Sequence, residues 1–295
     1  MIGLGIMGSA MAANLLRAGY RVVGYDVLAA RRKNHVRAGG HAVLNAAAVA
    51  AEADIIISSL PSADALVKTA TDLAAAPRRP RIVIETSTLP IAVKEDARAR
   101  LSARGAVLLD CPLSGTGVQA RQRDILVYAS GDRRAYRRVV PVLEAVARAH
   151  YYIGAFGSAS KVKFVANLLV AVHTAAAAEA LVLAMKAGLD PALVVKVVGD
   201  GGGGSKMFQI RGPMMAKGRY ADAEMKLDLF QKDMAIIADF ARQAGAPTPL
   251  FSTTAPIYTA ATALGGRQDT AAVCTVLEQM AGIKKRSKSR VQSSR

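Results

Sequence analysis

The chain has 295 residues, 52% hydrophobic and 21% charged, enough for one large or two medium domains with a substantial core, which excludes global disorder. Its formal charge of +17 is uneven: Lys284, Lys285, Arg286, Lys288, Arg290 and Arg295 crowd the last twelve positions, leaving 33 basic against 22 acidic residues before them. That surface favours anionic ligands, but no aromatic-interleaved basic stripe or nucleic-acid motif accompanies it, so no specific nucleic-acid function is expected.

No apolar run is expected to reach the roughly 18 to 20 residues of a membrane span, and no basic leader precedes the first glycines. The expectation is a soluble, cytoplasmic protein without membrane association. Cys111 and Cys274 are the only cysteines, too few for a disulfide framework or a metal cluster, and are expected to be small buried hydrophobes.

In chain order, Gly3-Leu4-Gly5-Ile6-Met7-Gly8 has the G-x-G-x-x-G spacing. The first glycine permits a tight strand-to-helix turn, the second lets backbone approach a pyrophosphate, and the third lets the helix pack closely. A helix of about ten residues should follow and stop at Gly19, its N-terminal amides facing the phosphates. Only Met1 and Ile2 precede Gly3, so the first strand is expected to be truncated. Tyr20 to Asp26 is a short β-type run ending in an acid, where a dinucleotide fold places the carboxylate that takes the ribose hydroxyls. Arg31-Arg32-Lys33 opens the next helix.

Asp54 to Pro61 and Arg81 to Pro90 are apolar runs closed by proline, the pattern of strands buried on both faces. A helical segment to about Ala103, a strand from Ala106 to Asp110, an apolar run from Ile125 to Ser130 and a short one at Tyr151 to Ile153 follow. Strands alternating with helices predict a parallel, doubly wound Rossmann sheet. From Gly157 the texture becomes helical: Lys161 to Lys186, Pro191 to Val198, Leu227 to Gln243, Pro249 to Ala263 and Thr270 to Ala281. The expected division is therefore an α/β dinucleotide-binding domain over 1–156, an all-α domain over 157–283 and a basic disordered tail over 284–295. The glycines after Asp200 read as a connection between helices.

Two groups carry chemistry. Asp110 runs into a turn containing Ser114, Gly115 and Thr116, whose hydroxyls and amides suit a substrate carboxylate beyond the carboxyl end of a strand. Lys163 and Asn167, four residues apart, share one helix face about 6 Å apart. A cationic acid/base beside a neutral amide suits a carbonyl that gains or loses a proton while hydride moves at carbon. Spacing alone leaves open whether Lys163 is a solvated surface lysine.

Taken together, the glycine stretch, Leu60-Pro61, Thr86-Ser87-Thr88, Asp110 to Gly115, Lys163 with Asn167, Ala178-Glu179-Ala180, Gly188 to Pro191, Lys232-Asp233 and Asp269 to Val273 resemble the β-hydroxyacid dehydrogenase family. The resemblance runs from Gly3 to about Gly282. It implies an oxidoreductase that moves a hydride between NAD or NADP and a small 3-hydroxy acid or its semialdehyde, with Lys163 catalytic. Ser114, Gly115, Thr116 and Asn167 would hold substrate. The glycine stretch, Asp26, Leu60, Pro61, Thr88 and Lys232 would bind cofactor, with no metal. Lys232 and a cationic nicotinamide would depress the Lys163 pKa. Asp26 favours NAD over NADP, although Arg31 leaves NADP open. Family members place the active site between domains and form homodimers or homotetramers through the helical domain.

Thr116 stands where the family often has a second glycine, and Ala166 where many members have an asparagine. Val170 replaces the acid of the phosphogluconate-decarboxylating relatives, which argues against that reaction. Lys163 argues against imine reduction. His173 reads as a packed or interfacial residue. A different reading, a non-catalytic dinucleotide-binding protein whose tail holds a polyanion, fits the short first strand and the basic end.

Overall fold

The structure, a computed structural model, describes residues 1–283; the basic segment 284–295, expected to be a disordered tail, lies outside the described residues. By compactness the chain divides into two units, Met1–Ala166 and the chain from Asn167 onward.

In the first unit the elements are α1 (Ile6–Arg17), β1 (Val23–Gly24), α2 (Ala29–Arg37), β2 (His41–Ala42), α3 (Ala46–Glu52), β3 (Ile55–Ser58), α4 (Ala63–Ala75), β4 (Ile82–Glu85) and α5 (Ile91–Ser102). Then come β5 (Val107–Asp110), β6 (Leu113–Ser114), α6 (Gly117–Arg121), β7 (Leu126–Ser130), α7 (Arg133–Val146), β8 (Ala149–Gly154) and the start of α8 (Ser158–Lys186). Strands β3, β4 and β5 are parallel neighbours. Met1 to Gly3 run between β1 and β3 as an isolated bridge rather than a full strand. Ile2 bridges Tyr25 on one side and Ser58 on the other, with its N–H donating to the Ile57 carbonyl at 2.8 Å while the Tyr25 amide donates to Met1 at 2.9 Å. Short as it is, this segment ties the β1–β2 pair to the larger sheet.

The strands are buried on both faces, as their apolar runs require. Ile57, Ile84 and Leu109 enter one core with Met11 and Leu15 of α1 and Val139 and Leu143 of α7. Their neighbours Ile56, Val83 and Leu108 enter the other with Val49, Leu66, Leu73 and Leu101.

The all-parallel expectation is corrected at one edge. β7 runs antiparallel to β5 and β6, and β8 is parallel to β7. The physical reason is the length of the connection: a parallel return needs a crossover of a dozen residues or more, and between β6 and β7 the only helix is the five-residue α6.

The second unit holds the remainder of α8, then α9 (Pro191–Gly199), α10 (Lys206–Lys217), α11 (Leu227–Gln243), α12 (Pro249–Gly265) and α13 (Val273–Met280). Ala171, Ala175, Ala178 and Leu181 of α8 are buried, and the Tyr258 hydroxyl on α12 donates to the Ala171 carbonyl at 3.2 Å. By length and composition alone α8 could cross a membrane. The expectation that no apolar run reaches span length is corrected here: Ser158–Lys186 reaches it, its apolar residues broken only by scattered polar ones such as Asn167, His173 and Glu179. Sequence reasoning also missed α10, since Gly212 and Pro213 look like breakers. Ser205 caps it through the Phe208 amide at 3.0 Å, and Gly212 lies close against Val195 of α9. Buried Arg211 then pairs with Asp269 at 3.2 Å, whose other oxygen accepts the amides of Glu224 and Met225.

Candidate active site

The glycine turn has the shape a pyrophosphate needs. Gly3 has φ +86°, and a Cβ there would lie 2.1 Å from the Ser59 carbonyl oxygen. At Gly8 a Cβ would lie 1.9 Å from the Gly3 carbonyl oxygen. Gly5 opens α1 with no side-chain cap, so the amides of the first turn face outward from a positive dipole end, as an anion site requires. These residues fit a dinucleotide: the cradle is one that side chains would fill.

Asp26 is buried at 5% exposure. Its Oδ2 accepts the Leu4 amide at 2.8 Å and its Oδ1 the Leu28 amide at 2.9 Å, so it organises the glycine turn. Arg31 reaches Oδ2 at 3.2 Å and also lies beside Gly5, while Arg32 donates to the Asp26 carbonyl at 2.6 Å. On the far side of β1, the His35 imidazole is sandwiched between Gly24 and Gly40; a Cβ on either would come within 2.5 Å of the ring. His35 Nε2 lies 3.2 Å from the Val22 carbonyl. A carbonyl only accepts, so that nitrogen carries the proton.

Leu60, expected at the cofactor, donates its amide to Ser87 Oγ at 2.8 Å; Pro61 beside it is exposed and Thr88 half-buried. The Ser114 to Thr116 turn lies next to the glycine turn, because a Cβ on Gly117 would meet Ile6 at 2.3 Å. Asn14 of α1 seals the contact by donating to the Ala120 carbonyl at 2.8 Å. Gly115 has φ +138°, with Ile125 packed against it. Thr116 caps α6: its hydroxyl accepts the Gln119 amide and its own amide donates to the Gln119 side chain. A hydroxyl that accepts one bond still carries a proton to donate.

Lys163 is on α8, buried at 8% exposure, which removes the surface-lysine alternative. Asn167 follows one turn later on the same helix. In the second unit its Nδ2 donates to Asp233 Oδ2 at 2.9 Å, and Lys232, about one-third exposed, lies 3.2 Å from Asp233 Oδ1. Asp233, to which sequence reasoning gave no role, therefore holds the Asn167 amide in place. An acid at buried spacing on an otherwise apolar helix face was the available signal.

A polar row was missed as well. Glu85, Asp110 and Ser130 are register partners across β4, β5 and β7, and Lys94 of α5 reaches Glu85 and Asp110 at 2.8 Å each. Burial alone would lower the Lys94 pKa; the two carboxylates outweigh it and hold the ammonium above the ordinary lysine value. The signal was an acid closing each of two apolar strands, but only the fold supplies the lysine between them.

Two sequence families cover this architecture. Residues 1–154 match the NAD binding domain of 6-phosphogluconate dehydrogenase, and residues 157–277 match the NAD-binding domain of NADP-dependent 3-hydroxyisobutyrate dehydrogenase. The chain is 34% identical to an L-threonate dehydrogenase of Cupriavidus necator over 94% of both chains. It is 32% identical to a 2-(hydroxymethyl)glutarate dehydrogenase of Eubacterium barkeri over 96% of this chain and 95% of that one. Among solved structures, a 3-hydroxyisobutyrate dehydrogenase of Mycobacterium tuberculosis superposes with a TM-score of 0.86 at 31% identity, covering 94% of this chain and 97% of the other. The fold, the glycine turn and these matches define an NAD(P)-dependent oxidoreductase. More narrowly, the chain belongs to the β-hydroxyacid dehydrogenase family.

Proposed function

We propose that the protein interconverts a small 3-hydroxy acid and its semialdehyde or keto form, with NAD as the preferred redox partner and Lys163 as general acid/base. The observation that carries this is a buried lysine one helical turn before an amide that is itself held by Asp233. NAD, when bound, accepts or returns the hydride. On oxidation the Lys163 amine takes the hydroxyl proton; on reduction the ammonium gives it back to the carbonyl oxygen. Ser114, the Gly115 amide and the Thr116 hydroxyl hold the substrate carboxylate. With Nδ2 committed to Asp233, Asn167 offers Oδ1 as an acceptor, which orients a hydroxyl or an ammonium.

The names of the relatives, which include L-threonate and 3-hydroxyisobutyrate dehydrogenases, support a small hydroxy acid. Asp26 supports NAD, because its carboxylate accepts ribose hydroxyls and repels a 2′-phosphate. Leu60, Pro61 and Thr88 would line the cofactor and Lys232 would reach its nicotinamide side. The domain division near residue 157 and a homo-oligomer through the helical region complete the proposal; exposed Leu183, Leu193 and Val197 favour the latter. Sedimentation velocity of the purified chain tests it, a monomer overturning it.

The direct test is a screen of 3-hydroxyisobutyrate, glycerate, threonate and 4-hydroxybutyrate with NAD and NADP in parallel, on the parent and on Lys163→Ala. General acid/base catalysis contributes about 10²- to 10⁴-fold. A loss of under about tenfold with cofactor binding intact overturns the role of Lys163. A preference of about a hundredfold for NADP overturns the argument from Asp26.

A further inference from the structure

We propose that Asp110, Ser130 and Ser160, with Lys94 behind them, are positioning residues that fix Lys163 by pinning the first turn of α8 to the carboxyl ends of β5 and β7. The inference rests on the reading of Lys163 as the proton-transfer group.

A helix begins with amides that have no partner within it, and several helices here satisfy them locally. Ser62 caps α4, Asp132 caps α7, Asp190 caps α9 and Ser205 caps α10, each from the residue just before its helix. In α8 the first-turn partners come from strands instead. The Ala159 amide donates to Ser130 Oγ at 3.1 Å, and the Ser160 amide donates to Asp110 Oδ2 at 2.9 Å. The Ser160 hydroxyl adds a second bond to Asp110, at 2.7 Å to Oδ1. Just ahead of the helix, Gly157 has φ +86° and lies against Ile91.

The acceptors are themselves held. Ser130 Oγ donates to Asp110 Oδ2 at 3.1 Å. Lys94 bonds Asp110 Oδ1 at 2.8 Å and pairs with Glu85, whose other oxygen accepts the Ser87 amide at 2.9 Å. Lys94, Glu85, Asp110 and Ser130 are fully buried and Ser160 is 1% exposed. A buried charge without partners is strongly unfavourable, so these side chains have little freedom to rearrange, and a carboxylate at a helix N-terminus is additionally favoured by the dipole.

Ser160 precedes Lys163 by three residues, or about 4.5 Å of helix rise. A shift of the first turn therefore moves the lysine with it, and a displacement of about 1 Å at a reacting group can cost about a hundredfold in rate. The same β5 that ends in Asp110 leads directly into the Ser114 to Thr116 turn. One strand end thus sets both the proposed carboxylate grip and the helix that carries the proposed acid/base.

The test uses the full chain with NAD and the hydroxy acid it turns over best, comparing Ser160→Ala, Ser160→Thr, Ser130→Ala and Lys163→Ala. Steady-state rates, NADH affinity by fluorescence and melting temperature are read for each. A positioning role predicts that Ser160→Ala lowers kcat by about tenfold or more while KM and NADH affinity stay within about twofold, and that Ser160→Thr, which restores the hydroxyl, recovers most of the loss. Ser130→Ala provides the same reading should Ser160→Ala fail to fold. The proposal is overturned if both alanine variants keep kcat within about twofold of the parent while Lys163→Ala loses about a hundredfold. It is also overturned if the loss appears equally in KM and NADH affinity. A Lys163→Ala enzyme that stays within about tenfold of the parent sinks the underlying reading of the lysine instead.

Discussion

Asn167 donates its side-chain amide to Asp233 Oδ2 at 2.9 Å, both groups being buried. The pairing commits the Nδ2 end of the amide to Asp233 and leaves Oδ1 as the end that the proposed mechanism uses. Hydrogen bonds to a charged partner contribute about 1.5–3 kcal/mol, or about 10- to 100-fold in rate if the orientation matters only in the transition state. Asp233→Ala should therefore lower kcat/KM by about that factor. Asn167→Asp should be worse, since it sets two carboxylates against each other. Combining Asn167→Asp with Asp233→Asn reverses the donor and acceptor, and recovery in that double variant is the measurement that checks the pairing.

Gly3 and Gly8 are coupled through one carbonyl. The oxygen of Gly3 occupies the space that a Cβ on Gly8 would need, and Gly3 itself is pressed against Ser59. Overpacking of this kind costs about 1–3 kcal/mol or more, and here the obstructing atom is backbone. Gly8→Ala should melt lower by about 5 °C or more and bind NADH at least about tenfold more weakly, since the pyrophosphate cradle deforms. Gly19, which also has a positive φ but nothing within 4 Å, is the control: Gly19→Ala should lose some stability and keep cofactor affinity.

His35 makes stability depend on pH. Burial between Gly24 and Gly40 lowers its pKa, with only partial compensation from the Val22 carbonyl. The folded chain thus resists a proton that the unfolded chain accepts near pH 6.5. The stabilising contribution is full above that value and is lost as pH falls through it toward the lower folded pKa. Urea midpoints at pH 7.5 and 5.5 should differ more for the parent than for His35→Gln, which cannot take up the proton.

Much of this was legible because its causes are local. The glycine spacing, the acid closing the first complete β-run and the apolar strands buried on both faces specify a dinucleotide fold within short windows. The helices of the second unit were legible wherever periodicity was uninterrupted, and α10 was hidden because Gly212 serves packing against Val195 of α9 rather than termination, with Pro213 inside the helix. The reversal at β7 and the roles of Lys94, Ser130 and Asp233 depend on pairing between segments far apart in sequence. No window containing Lys94 shows that two carboxylates wait 2.8 Å away on neighbouring strands. Thr116 lies between these cases: the sequence marks it as a departure from the family's glycine, and only the fold shows that it completes a capping box with Gln119.

The two cysteines carry a practical consequence. Cys111 and Cys274 are both buried, and burial raises the Cys111 thiol well above its ordinary value and the Cys274 thiol to about 12. The thiolate is the reactive form, so the folded protein should leave both unmodified by maleimide or iodoacetamide. A single cysteine placed on an exposed position, such as Val27 or Leu44, would then take a fluorophore or spin label at one site without first stripping the native sulfurs from the chain.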